Sequence, residues 1–147
     1  PTSANLRAAG WAEALVLLAG ARGANQPITS PDGAVVSAQV EDGRIEVAVR
    51  CGDPLDEVVL RSYCVGAAHM GWSWVTSEGL AVDIDGTLLD LTVRSFGVAR
   101  AIDTPRIEVH IDPDDRAPMN GSDAVFAAVA AATWLHRGVP ADWPTGS

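Results

Sequence analysis

Positive charge is what this sequence has least of: 10 Lys and Arg stand against 19 Asp and Glu, giving a formal charge of -9 and a pI near 4.5. No basic stripe exists to release counterions from a phosphate backbone, so nucleic acid is excluded as an expected partner. Cysteine is scarce as well. Cys51 and Cys64 lie far apart with no CxxC or Cys/His cluster around them, which fits reduced thiols and a cytoplasmic setting better than a disulfide framework or a zinc site. His69, His110 and His136 fall on different segments without metal-ligand spacing. No run reaches the eighteen or so apolar residues of a membrane span. The apolar stretch from Ala12 is broken by Glu13 and led only by Arg7, so a secretory leader is not the expected reading.

What is present is apolar. At 147 residues and 48% hydrophobic, the chain can bury a core without staples, and a single domain over 1–147 is expected. The longest organised stretch is Asp56 to Val82, read as a buried helix flowing into a strand. Val59, Tyr63, Gly66, Ala67, Met70 and Trp74 recur at three and four, Asp56 stands as N-cap, and Gly79 stands as the glycine that ends the helix. A first helix, capped by Ser3 or Asn5, shows Leu6, Trp11, Leu15, Leu18 and Ala19 on one face and ends at Gly20 or Gly23. Gln26 to Gly33 reads as a turn-rich connector.

Ala34–Val40 and Arg44–Arg50 form a hairpin around Asp42-Gly43, and Leu80–Asp83 with Thr87–Leu91 form another around Asp85-Gly86. Thr92–Thr104 reads as a surface loop. Arg106–Ile111 alternates as a strand, and residues 112–121 are acidic, proline-bearing loop. Ser122–Arg137 is an alanine-rich helix with Ser122 as cap, and residues 139–147 read as a mobile tail. The fold expected is α+β, a mixed or antiparallel sheet of about five strands packed with two or three helices.

Five stretches carry a resemblance: VAVRCGDPL, GAAHMGWSWVTSEGL, DIDGTLLDLTVRSF, DTPRIEVHI and NGSDAVFAAVAAA. In this order and spacing, over residues 47–132, they resemble the C-terminal part of the molybdopterin-binding large subunit of the xanthine dehydrogenase and aldehyde oxidase family. The resemblance implies a scaffold that positions a glutamine against the molybdenum cofactor and a glutamate as general base. Tyr63 stands where the glutamine is expected and Ser122 where the glutamate is, with Asp123 directly after it. A serine hydroxyl is no base near neutral pH without an activator, and a carboxylate one residue along a helix points about 100° away. The family's subunit is also several times longer. No cofactor is therefore expected in this chain alone, and molybdopterin only with a partner.

The candidate catalytic residues are His69, Ser122 and Asp123, and the candidate substrate contacts are Tyr63, Arg94, Arg100 and Asn120. Each has a plainer role: Ser122 and Asp123 as helix caps, His69 as a packed hydrogen-bonding side chain, Arg94 and Arg100 as neutralisers of surplus carboxylate. Glu78 reads as a helix-end ion pair or a solvated helix end, Cys64 as a buried thiol, and Pro1 is not the expected amine nucleophile because no second element of such a site is visible. Three functions follow as expectations: a small subunit or split segment of a molybdenum-hydroxylase-like assembly; a cofactor-free lyase, isomerase or cyclase; or a binding and self-assembly module. A homo- or hetero-oligomer is compatible with each, and so is a small-molecule substrate.

Overall fold

The computed structural model describes residues 4–90 and 92–145, with side chains from Ala9 onward. Four strands form one mixed sheet in the order β1-β2-β3-β4: β1 Ile28–Thr29, β2 Val35–Glu41, β3 Arg44–Arg50 and β4 Arg106–Ile111. β1, β2 and β3 run antiparallel, while β4 lies parallel to β3 with Ile45 beside Ile107 and Val47 beside Val109. The tight β2–β3 turn is Asp42-Gly43, where Gly43 takes φ 78°. Alternation sorts the faces. Val36, Ala38, Ile45, Val47, Val49 and Val109 point into the core, and the opposite face carries a polar network in which Arg44 and Arg106 reach Glu108 at 2.9 and 3.0 Å.

A parallel neighbour cannot be reached by a hairpin, so the chain leaves β3 and returns to β4 through a long crossover. That crossover contains α2, Glu57–Thr76, whose N-cap Asp56 accepts from the amides of Val58 and Val59 at 2.8 and 3.1 Å. α1 spans Ala4–Arg22 and α3 spans Ser122–His136. α3 is the centre: it packs against α1, α2 and β2, and its residues from Ala124 to Thr133 are buried apart from the half-buried Phe126. A helix apolar on every side belongs in an interior, and alanine lets its neighbours come close. The closest approach is at Gly71, where an added Cβ would lie 2.6 Å from the Phe126 carbonyl oxygen.

The organising helix is α3 rather than α2. α2 buries Cys64, Ala67, Ala68, Gly71 and Val75, whereas Val59, Tyr63 and Met70 face outward, because small side chains and not large ones fit against α3. α2 ends at Thr76 with Ser77 as C-cap, short of Gly79, and the residues after it do not continue as a strand. Ser122 is the first residue of α3, not its cap; Gly121 holds that position without a side-chain bond.

Among the described residues the second hairpin has one bridge, Val82 to Leu88, and the sheet has four strands where about five were expected. Ile84 is fully exposed at the tip of this arm. The short strand β1 falls within the segment read as a turn-rich connector. On α1 the buried residues among the described side chains are Ala12 and Val16, with Leu18 outward, and the helix runs through Gly20. Asn5 lies inside α1, not at its cap.

Pro1, Ser3, Leu91 and the last two tail residues, together with the Leu6 side chain, lie outside the described residues. In the preceding tail segment Trp143 packs edge-on against Trp74 and Trp134, and Thr145 donates from its amide and hydroxyl to the Val75 carbonyl at 2.8 and 3.0 Å. Among the described residues no helix is long and apolar enough to cross a membrane.

Candidate functional site

The N-terminal half of α2 and the loop entering α3 enclose a cleft of about 300 Å³. Loop 112–121 is held there by the end of β3. Gly52, at φ 83°, has no room for a Cβ against the Ala117 carbonyl, so only glycine lets the two segments touch. The Gly52 amide donates to Asp114 Oδ2 at 2.9 Å, the Asp53 amide to the Arg116 carbonyl at 2.8 Å, and the Met119 amide to the Cys51 carbonyl at 2.9 Å.

Arg116 grips Asp114 through Nε and NH2, at 2.8 and 2.6 Å, and its NH1 reaches the Gly33 carbonyl at 3.1 Å. That guanidinium, ahead of the two backbone amides, holds the Asp114 carboxyl well below the usual carboxylate range. These residues clamp the loop that carries Asn120 and Ser122. They went unread in the sequence, where the spacing of Asp114 and Arg116 in an otherwise acidic loop was the available signal.

Leu55, Val59, Leu60, Pro118 and Met119 give the cleft an apolar lining, with Tyr63, Asn120 and Ser122 as its polar groups beside Asp56 and the two thiols. Asn120 Oδ1 accepts from the Ser122 amide at 3.0 Å and from the Ser122 hydroxyl at 2.6 Å. The Ser122 hydroxyl is thus a donor to an amide oxygen, and the carboxamide is held with its NH2 turned away from Ser122. Cys51 and Cys64 are free and buried. Burial first, then the Asp114 carboxylate, raises the Cys51 thiol; burial pushes Cys64 up to about 11, so neither is a thiolate nucleophile near neutral pH.

Three of the sequence-predicted residues, Tyr63, Asn120 and Ser122, therefore meet in one cleft. Asp123 faces an adjoining cavity of about 260 Å³ that it shares with Ser122, Met70 and α1. His69 lies elsewhere, in a cavity of about 380 Å³ between α2 and the segment before β4. Its Nδ1 sits 2.8 Å from Thr104 Oγ1, which lies 3.1 Å from the Arg100 carbonyl oxygen that it can donate to. Arg100 is engaged by Asp103 through two bonds of 2.6 and 3.1 Å. Arg94 is exposed on the short 3-10 turn Val93–Phe96 and lines none of these three cavities. Glu78 accepts from the Ser73 hydroxyl at 2.6 Å rather than pairing with a cation.

The cleft does not by itself suit a molybdopterin. That group carries a phosphate, and the lining has no Arg, Lys or His, while Asp56 at the rim already occupies the amides of Val58 and Val59. Among the described residues no three His, Cys, Asp or Glu side chains gather to hold a metal ion.

No family model matches the sequence, and no protein of curated function does. The structure has neighbours. It is similar to quinoline 2-oxidoreductase from Pseudomonas putida 86, with a TM-score of 0.53 at 15% identity, covering 65% of this chain and 14% of that one. A reconstituted CO dehydrogenase from Oligotropha carboxidovorans gives a TM-score of 0.49 at 14% identity, covering 65% of this chain and 12% of that one. The chain thus spans about one seventh of the oxidoreductase that it matches, and what the two share is a fold.

Proposed function

We propose that this chain is a small subunit or split segment of a molybdenum-hydroxylase-like assembly, contributing part of a site wall and not the proton acceptor. The fold likeness to a segment of quinoline 2-oxidoreductase carries this reading. The cleft supports it through the convergence of Tyr63, Asn120 and Ser122, and in such an assembly the cations that an anionic cofactor needs come from outside this lining. Within such an assembly the roles left to these residues are donation and positioning. Asn120 offers its NH2 from a carboxamide fixed by Ser122, and Tyr63 offers a phenol at the cleft mouth.

The test is isolation of the tagged chain from its native host, with molybdenum measured by mass spectrometry and oxidised pterin by fluorescence. The expected result is a larger polypeptide in fixed proportion, bringing both molybdenum and pterin. Recovery of the chain without either overturns the reading.

A further inference from the structure

The segment after α3 is pinned at several points around Trp143. Thr145 bonds the Val75 carbonyl through its amide and hydroxyl, and its own carbonyl accepts from Arg137 NH2 at 3.0 Å. Pro144 packs over Gly79, where an added Cβ would lie 3.3 Å from the proline Cδ. These contacts fix Trp143 in place while leaving 37% of it exposed. Its ring centroid lies 5.0 Å from that of Trp74 with the planes inclined at 62°, so the two indoles form a corner and not a stack. Both walls are braced: Phe126 stacks on Trp74 at 5.3 Å, and Trp134 meets Trp143 edge-on at 5.7 Å.

The corner lines a cavity of about 270 Å³ that Glu13, Val16 and Leu17 of α1 complete. Glu13 is exposed, and among the described residues no Arg, Lys or His pairs with its carboxylate. An anion here would meet that carboxylate and the negative faces of the rings, and a neutral molecule would cover the carboxylate without answering its charge. A cation is drawn by the rings, by Glu13 and by the field of a chain of formal charge -9. Hydrogen bonding then selects the kind of cation. A primary ammonium or a guanidinium brings several N–H donors, and Glu13 is the one charged acceptor in the lining. A quaternary ammonium brings none, and its methyl groups suit Val16 and Leu17.

We propose that this corner binds a small quaternary ammonium, a trimethylammonium group seated against Trp74 and Trp143 with its charge facing Glu13. The cavity shares no lining residue with the Tyr63 cleft, so binding here is independent of the proposed function and leaves that cleft open. A free choline-type molecule and a trimethylated lysine side chain carry the same head group, and both can present it to the corner.

Isothermal titration calorimetry of the full chain with choline tests this, beside the neutral carbon isostere dimethylbutanol and the primary amine butylammonium. Choline should bind at least roughly fivefold more tightly than either. Glu13→Gln, at an exposed position of α1, should keep the far-UV circular dichroism and weaken choline roughly threefold. Trp143→Leu should remove the binding heat, and Arg94→Gln, which lies on none of these walls, should leave it unchanged. A trimethyl-lysine peptide that binds more tightly than choline also supports the site and names a protein segment as the source; choline binding the more tightly names a small molecule. Absence of choline binding overturns the proposal, as does an isostere or primary amine that binds equally well, or a Glu13→Gln chain of undiminished affinity.

Discussion

At the scale of single residues, the ion pair under the cleft is the feature with the clearest pH consequence. Asp114 ionises in the folded chain well below its ordinary value of about 3.9, so its contribution is complete above that value and disappears as pH falls through the lower, folded-state one. Asp114→Asn should lower the urea midpoint at neutral pH. The wild-type and variant midpoints should then converge as pH drops below about 4. Parallel curves at all pH values would show that the pair does not hold loop 112–121.

The same scale shows what the sequence could and could not disclose. The resemblance related Tyr63 and Ser122, which line one cleft with Asn120, whereas His69, read beside them, lines another cavity. The surroundings of these residues were not legible: whether Ser122 caps a helix or donates to Asn120 turns on a one-residue shift in where α3 begins, which propensity does not resolve. Arg100 shows the same limit, since a partner three residues away answers its charge and only geometry reveals it.

At the scale of elements, strands with one wet face were easiest to read. β3 and β4 coincide with the stretches of strict alternation, and Asp42-Gly43 closes the hairpin where its dihedral preference requires. α2 was misread because hydrophobicity and burial part company there. Of its periodic large residues Val59, Tyr63 and Met70 look outward and Trp74 is half-buried against Phe126, while Ala67, Ala68 and Gly71 are buried where α3 comes close. Size at a helix crossing is set by the partner, which a single-sequence period does not encode. Gly71→Ala should therefore destabilise the fold by about 1–3 kcal/mol, the usual range for forced overpacking, whereas Gly10→Ala should stabilise α1 by up to about 1 kcal/mol. Guanidinium denaturation of the two variants measures both signs; equal effects would mean that α2 and α3 can separate at little cost.

At the scale of the whole molecule, the sheet joins segments that are distant in sequence. β3 and β4 are neighbours, yet the whole stretch from residue 51 to 105 lies between them, and the arm around Ile84 is its most remote excursion. A polypeptide nicked between Asp85 and Gly86 would divide into one fragment holding α1, β1, β2, β3 and α2 and another holding β4 and α3. Neither can bury its apolar surface alone, because α3 supplies the interior that the first fragment surrounds. Coexpressed, the two should complement each other into a soluble pair with the circular dichroism of the unbroken chain, and each should precipitate without the other. A pair that never reassembles would assign the arm a duty in guiding β4 to its place beside β3.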